Sequence, residues 1–156
     1  MNNNIQKLDS LINEKRSELY EALQSGVSNG ELETLLGENY QNIPETLIEL
    51  WSWRNGQDEN YSKDFHPTNS EMFMSLENSI DTILFSNECY SEGDISSDNW
   101  NQNWLPFNEN GGGNYTCVSL ETGEVYYYDK YSSSTDKRFN SIDSWLESVI
   151  NGYKGL

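Results

Sequence analysis

The sequence predicts an α+β fold, in which a small, mainly antiparallel sheet is flanked by helices within a single domain. Helical patterns occupy the first third of the chain, strand patterns follow, and one more helical pattern closes it. Strands that follow one another directly, without a helix between each pair, are typical of antiparallel sheets. The length of 156 residues suits one domain with one core.

Two helices are predicted near the N-terminus. Residues 5–24 carry apolar side chains near one helical stripe, and Gly26 ends this pattern. Ser28 and Glu31 then have the spacing of a capping box, in which each side chain bonds the other residue's backbone N–H. A short helix should therefore follow, to about Leu36.

A third helix is predicted to begin at Pro44, because the missing N–H of proline has no cost in the first turn of a helix. Asn55 and Gly56 are typical of a helix end. The predicted inner face of this helix consists of four apolar residues: Leu47, Ile48, Leu50 and Trp51. Residues 57–70 are polar and are predicted to form a loop.

The middle of the chain predicts one short strand, one helix and one long loop. Residues 71–76 alternate in the manner of a strand, and residues 77–90 have a helical pattern. The side chains predicted to point inward are Met72, Met74 and Leu76 in the strand, and Ile80, Ile83 and Leu84 in the helix. Residues 91–103 are acidic and rich in asparagine, which favours a loop.

A β-hairpin is predicted after a short strand segment. Residues 104–107 are predicted to be the entry of a strand or an edge strand, because Pro106 cannot donate a hydrogen bond inside a ladder. Residues 114–131 supply two arms rich in β-branched and aromatic side chains, with the Thr-Gly pair at 122–123 as their turn. The polar residues 132–138 are predicted to form a loop.

The closing helix is predicted to start at Ser141, whose hydroxyl can cap the first turn. Its predicted inner face comprises five apolar residues: Ile142, Trp145, Leu146, Val149 and Ile150.

Three consecutive glycines, Gly111 to Gly113, precede the first arm of the hairpin. A phosphate-binding loop would need backbone N–H groups at the start of a helix, commonly with a lysine next to them. Here a strand pattern follows, and no lysine is near in the sequence. The glycines are therefore predicted to allow positive φ angles before the strand enters the sheet.

The charge of the chain is strongly acidic and uneven. There are 26 acidic and 9 basic residues, and the formal net charge is −17. Between Asp64 and Asp129 there are twelve acids and neither Lys nor Arg. Nucleic acid is not expected as a partner, because phosphate contacts need cations. A basic protein or a cation is favoured, and the alternative is that the charge only keeps the protein in solution.

The expected compartment is the cytoplasm, with no membrane partner. No apolar run is long enough to span a bilayer, and the polar N-terminal segment has no secretory signal. Cys89 and Cys117 are accordingly expected to be reduced, partly buried thiols.

No catalytic, cofactor-binding or metal-binding set is predicted. His66 is the only histidine, so a Ser–His or Cys–His pair could form only through this residue. One histidine with two separated cysteines makes a poor zinc site. Residues 58–64 space their oxygen atoms like the first ligands of an EF-hand, but Lys63 stands at its glycine position and Asn69 at its glutamate position.

The contact face for a partner is predicted in the two longest acidic loops, because loops carry binding residues more often than the scaffold does. Aromatic side chains beside the acids could anchor the partner. The predicted contact residues are Asp58, Glu59, Tyr61, Asp64, Tyr90, Glu92, Asp94, Asp98 and Trp100.

Three segments, taken in order, resemble the SUKH superfamily. IPETLIELWSWRNGQ at 43–57 resembles its LPxxLxxLYxxxNG helix. WLPFNENGGGNYTCVSLETGEVYYYDKY at 104–131 resembles its central signature, a Trp-containing strand that leads to GGGD and two further strands. FNSIDSWLESVI at 139–150 resembles its closing SFxexL helix. The chain departs from these patterns at Asn114, where aspartate is common, and at 140–142, where Ser-Phe is common.

The resemblance implies a SUKH-like domain at residues 28–156, with residues 1–27 as an N-terminal helix that is part of it or appended to it. The superfamily includes bacterial immunity proteins and yeast regulators of cell-wall synthesis. The chain is therefore expected to be a non-catalytic immunity protein of a polymorphic toxin system, which neutralises a cognate, basic, nuclease- or deaminase-type toxin domain. Two alternatives are a regulatory or scaffold module linked to cell-wall synthesis, and a carbohydrate-active enzyme whose carboxylates lie beside aromatics.

Overall fold

The computed structural model of the chain describes residues 2–94, 100–132 and 134–156. Its α-helices are α1 (Asn3–Lys15), α2 (Ser17–Ala22), α3 (Asn29–Leu36), α4 (Glu45–Trp53), α5 (Leu76–Ser91) and α6 (Ile142–Lys154), and Gly37–Asn42 is a 3-10 helix. Its strands are β1 (Leu23–Ser25), β2 (Arg54–Gln57), β3 (Met72–Phe73), β4 (Trp104–Glu109), β5 (Tyr115–Ser119), β6 (Val125–Tyr128) and β7 (Asp136–Phe139). Within the described ranges, no helix combines the length and the apolar character needed to cross a membrane.

Five strands form one antiparallel sheet in the order β3-β4-β5-β6-β7, and β1 pairs with β2 in a second antiparallel sheet of two strands. One continuous hydrophobic core contains side chains from all six α-helices and from the larger sheet. The prediction of a single α+β domain with a small antiparallel sheet and flanking helices is confirmed.

The predicted helix starts are confirmed where a side chain caps the first turn. The Ser28 hydroxyl accepts a hydrogen bond from the backbone N–H of Glu31 at 3.3 Å, and that of Ser141 accepts from the N–H of Ser144 at 3.1 Å. Each bond satisfies an N–H that has no partner inside the helix. Pro44 directly precedes the first residue of α4.

The single N-terminal helix predicted over residues 5–24 is wrong, because the chain forms α1 and α2 with a break at Arg16. Arg16 has a φ of −143°, and its guanidinium donates to the backbone oxygen of Asp64 at 3.4 Å. From Leu23 the backbone is extended and pairs with β2. Apolar spacing continues across the break through the fully buried Leu19, so periodicity alone could not locate it.

Helix α1 packs against α6 and forms part of the common core. Its residues Ile5, Leu8 and Ile12 are fully buried. The division of the chain at residues 27 and 28 stays a sequence-based prediction.

The burial of two apolar side chains was predicted incorrectly. In β3, Phe73 is buried and Met72 is only half-buried, so the alternation predicted for Met72 is wrong. In α5, Leu84 was predicted to pack inward, but it is 62% exposed. Four apolar residues follow one another closely in this helix, and the core accommodates only one side of it.

Two strand assignments also need correction. Strand β4 lies inside the sheet between β3 and β5 and is not an edge strand. Pro106 is tolerated there because the pairing with β5 is shifted between Pro106 and Asn108, at a bulge where a ladder bond is already missing. The loop predicted over residues 132–138 contains the start of β7, which pairs with β6.

The predicted hairpin and the role of its glycines are confirmed. Gly111 and Gly113 have φ angles of +81° and +93°, and the backbone enters β5 two residues later. The turn between β5 and β6 closes with a 2.8 Å hydrogen bond from the N–H of Gly123 to the oxygen of Ser119.

Replacing Gly113 by Val is expected to lower the free energy of unfolding by about 1–3 kcal/mol, because a β-branched residue tolerates a positive φ poorly. A thermal melt measures the loss. The matched control is Gly112→Val, since Gly112 has no positive φ and a Cβ atom added there would meet only the Asn110 side chain, at 3.5 Å. Equal melting temperatures for the two variants would contradict the prediction.

Candidate functional site

The larger sheet has a second aromatic layer on the side away from the main core, which we call the outer face: Trp100, Trp104, Cys117 and Tyr128, with Tyr90, Tyr115 and Tyr126 packed around them. Alternation along β5 explains the arrangement, because Cys117 points away from the core into which Val118 points. Trp104 stacks on Tyr126 with ring centroids 4.9 Å apart. The free thiol of Cys117 is fully buried, whereas that of Cys89 is half-buried.

The predicted contact residues differ widely in exposure. Asp58, Glu59, Glu92 and Asp94 are exposed, whereas Tyr61, Asp64 and Tyr90 are half-buried. Asp98 lies outside the described residues.

Trp100 is buried, and its indole N–H donates to the side-chain oxygen of Asn87 at 3.1 Å. Its ring also packs edge-on against Tyr128, with the centroids 5.1 Å apart. Trp100 therefore serves the outer face and offers a partner little area. The contact role of the nine residues stays a prediction.

Acids of both predicted contact loops act on groups close to the outer face. Burial, and then the charge of Glu59, raise the pKa of Glu109 at the end of β4, and burial followed by Glu109 raises the pKa of Tyr115. Elsewhere, loss of solvation and then Asp94 raise the pKa of Cys89 at the end of α5. Such effects act over short distances, so acids border the tyrosines of the outer face.

Helix α5 exposes a surface that we call the α5 stripe: Glu77, Asp81, Leu84, Phe85 and Glu88. Leu84 and Phe85 are 62% and 66% exposed and lie between the acids. The spacing of three and four residues between Asp81, the apolar pair and Glu88 is the signal that could have revealed the stripe. The helix contains no basic residue, and its end leads to Glu92 and Asp94.

A cavity of about 540 Å³ lies on the opposite side of the sheet from the outer face. Residues 66–71 form one wall, and β7 and α6 contribute others. Its lining residues are His66, Thr68, Asn69, Ser70, Glu71, Asn110, Thr116, Tyr127, Arg138, Phe139, Trp145 and Ser148. Apart from His66, whose chemistry was considered, and Asn69, the sequence predicted no role at a site for these residues.

Glu71 is the buried acid of this cavity, with 5% of its surface exposed. The Thr116 hydroxyl lies 2.8 Å from each carboxylate oxygen. Burial raises the pKa of Glu71, and the Thr116 hydroxyl and the Arg138 charge act in the opposite direction. The sequence signal was an acid at the start of the apolar EMFMSL run.

His66 is neutral, and its tautomer follows from its partners. The backbone N–H of Thr68 lies 3.2 Å from Nδ1, and since an N–H can only donate, Nδ1 is the acceptor. Nε2 therefore carries the proton and donates to the Ser148 hydroxyl at 2.9 Å. Burial lowers the pKa of His66, which agrees with the neutral form.

The contact between His66 and Ser148 is not the arrangement of a catalytic pair. A general base would need a free lone pair on the nitrogen that faces the serine. Here that nitrogen is the donor, and Nδ1 accepts a backbone N–H instead of donating to a carboxylate. That the chain is not an enzyme stays a prediction, and this pair gives no reason to change it.

Arg138 lies at the rim of the cavity and is already engaged. Its guanidinium pairs with Asp136 at 2.8 Å and sits 4.7 Å from the ring centre of Tyr127. The fork of an arginine held in this way can still donate to a ligand.

In the described part of the chain, no group of three His, Cys, Asp or Glu side chains is arranged to hold a metal ion. Part of the loop that resembles calcium ligands is engaged in hydrogen bonds within the chain. The Gln57 amide donates to the backbone oxygens of Tyr61 and Lys63, and the Asp58 carboxylate accepts from the N–H of Asn60.

We expect the melting temperature to be the same with EDTA, with added Ca²⁺ and without either, since Lys63 and Asn69 replace the glycine and glutamate of a calcium loop and no ligand set is present in the described residues. Differential scanning fluorimetry measures it. A saturable rise with Ca²⁺ would contradict this prediction and point to residues 58–64.

Replacing Glu71 by Gln is expected to stabilise the protein more near neutral pH than near pH 4.5. The folded chain holds the Glu71 proton more tightly than the unfolded chain, whose pKa is near the ordinary 4.5. The stability that Glu71 contributes is therefore present below that pH and is lost as the pH rises through the raised pKa. Urea unfolding of both proteins at each pH measures the difference, and a difference independent of pH would contradict it.

The sequence was compared with known proteins and protein families. None of the curated proteins matches the sequence at a significant level. The model of the SMI1/KNR4 family, SUKH-1, matches residues 27–148, which is well over half of the chain, and confirms the resemblance drawn from the three motifs. The chain therefore belongs to the SMI1/KNR4 family (SUKH-1).

Proposed function

We propose that the protein is an immunity protein, which binds and neutralises a cognate basic toxin domain of the nuclease or deaminase type in the cytoplasm. Membership of the SMI1/KNR4 family supports the proposal, because the superfamily contains immunity proteins as well as regulators. Binding alone would block the toxin, so we assign no catalytic residue to the chain.

The observation that carries the proposal is the α5 stripe. Large apolar side chains that are more than half exposed, as Leu84 and Phe85 are, mark interaction surfaces when they lie together within a polar rim. The rim here is acidic, with Asp81 and Glu88 one helical turn away on either side of the pair. An apolar centre with an acidic rim fits a partner surface that has an apolar centre and a basic rim.

The acidic loops would add speed and orientation to this contact. Asp58, Glu59, Glu92 and Asp94 are exposed and carry the same sign of charge as the α5 stripe. Complementary charge accelerates the encounter of two proteins and sets their orientation, whereas buried apolar and aromatic anchors slow dissociation. Tyr61 and Tyr90 are the predicted anchors that stay partly exposed beside these acids.

The test searches the neighbouring genes for a toxin domain and co-expresses that domain with the chain. We expect the chain to restore growth of bacteria that produce the toxin, and the two purified proteins to form a complex whose association slows as salt rises. Growth arrest that persists, together with no complex by gel filtration, would overturn the proposal.

Charge reversal at Glu92 and Asp94 to Lys should slow association about tenfold or more at low salt, with little change in the melting temperature, since both side chains are exposed. The control is the same reversal at Glu14 and Glu21, which are exposed on α1 and α2. Stopped-flow or biosensor kinetics measure the rates. Equal rates for the two variants would show that the acidic loops are not the interface.

The contribution of Leu84 and Phe85, the apolar centre of the α5 stripe, is measured by the dissociation rate of the complex. Replacing Leu84 and Phe85 by Ser should accelerate dissociation by roughly 30-fold, the equivalent of losing about 2 kcal/mol of anchor contacts. Association should change little, since the charge is untouched. A change in the dissociation rate alone would show that the α5 stripe holds the complex together, whereas the acidic loops act on the association rate.

A further inference from the structure

We propose that the cavity at Glu71 is a binding site for a cationic hydrogen-bond donor, an ammonium or guanidinium group on an aliphatic stem. The site lies on the side of the sheet away from the outer face, and it does not depend on the proposed immunity function. Its ligand chemistry is inferred from the atoms that line the cavity.

The first argument is that the Glu71 carboxylate has unused acceptor capacity. An ionised carboxylate offers about four acceptor positions. Thr116 lies within hydrogen-bond distance of both oxygens, but its hydroxyl has one hydrogen and serves one oxygen at a time. Among the described residues, no Lys, Arg or His nitrogen lies within 4.0 Å of this carboxylate. A buried acid without a cation is the most favourable place for a cationic ligand to bind.

The second argument comes from Asn108, which sits against Glu71 in β4. Asn108 is completely buried, and neither atom of its side-chain amide has a hydrogen-bond partner. Its amide is close enough to Glu71 to favour the charged carboxylate, although no hydrogen bond of normal geometry joins the two. The Asn108 amide is therefore a buried polar group without partners beside Glu71, which itself lines the cavity, and such groups are rare unless water or a ligand completes them.

The third argument is the shape and chemistry of the remaining walls. The cavity volume of about 540 Å³ is within the range of small-ligand sites. Trp145, Phe139 and Tyr127 line it with aromatic surface against which an aliphatic stem can pack. Arg138 favours the charged form of Glu71 only through its field and forms no ion pair with it, because its guanidinium is paired with Asp136 and lies over Tyr127.

Binding should be linked to the protonation of Glu71. A cation beside the carboxylate favours its charged form, so ligand binding releases a proton wherever the free Glu71 is partly protonated. Affinity should therefore rise as the pH rises through the raised pKa. The other charged or titratable groups near Glu71 include His66 in the same loop, Asp64 before it, Cys117 on β5, Tyr127 on β6 and Arg138 on β7.

The test uses butylguanidinium as the probe and butylurea, its uncharged isostere, as the ligand control. We expect butylguanidinium to shift the NMR signal of the Trp145 indole N–H saturably at millimolar concentration, and butylurea to leave it unchanged. In the Glu71→Gln variant the affinity should fall about tenfold or more, whereas Glu33→Gln, which removes an exposed acid on α3, should leave it intact.

Two further arms keep the test decisive. If Glu71→Gln fails to fold, the unaltered protein must still bind butylguanidinium more weakly as the pH falls toward 4.5. N-acetylarginine amide and free agmatine distinguish the sources: preference for the former indicates a side chain of a partner protein, and preference for the latter a free small molecule. Equal binding of butylurea, undiminished binding by Glu71→Gln, or no saturable shift with any probe would overturn the proposal.

Discussion

The structure around the cavity depends on one buried side chain, that of Gln57. Its amide nitrogen donates to the backbone oxygens of Tyr61 and Lys63 at 2.7 and 2.8 Å, and its amide oxygen accepts from the backbone N–H of Phe73 at 2.9 Å. Gln57 thus supplies hydrogen bonds to three backbone groups that strand pairing does not serve. Each such group, if it were buried without a partner, would cost about 1–3 kcal/mol of stability. These bonds fold the loop after β2 back onto β3. Glu71, which directly precedes β3, is thereby held in the cavity wall.

Within the part of the chain that the structure describes, acidic side chains that form no ion pair occur both at the surface and in the cavity. The nine Lys and Arg residues all lie outside the stretch from Asp64 to Asp129, so every charged residue of α5 and β4 is an acid. The ion pairs among the described residues involve Arg54, Lys137 and Arg138. At the surface, water screens the acids and their field acts mainly on approaching partners. In the cavity, burial raises the pKa of Glu71, which forms no ion pair among the described residues, and this is the basis of the proposed cationic ligand.

The features that were predicted correctly depend on short stretches of sequence. The caps at Ser28 and Ser141 each involve a residue three positions away, and the positive φ at Gly113 is a property of one residue type. Strand β7 was missed because DKRF is polar and lies at the edge of the sheet, where pairing with β6 supplies the ladder without a buried face. The exposure of Leu84 was missed because α5 has more apolar residues than one buried side can use.

The sequence by itself determined the α+β class, the family, the main helix starts and the one-signed charge of the middle of the chain. These are properties of local patterns or of sums over many residues. Only the tertiary structure decided which side chains meet: Glu71 contacts Thr116 across 45 positions, and His66 contacts Ser148 across 82. Such contacts depend on how the whole core packs, and the cavity is the space left between elements whose positions no local pattern specifies.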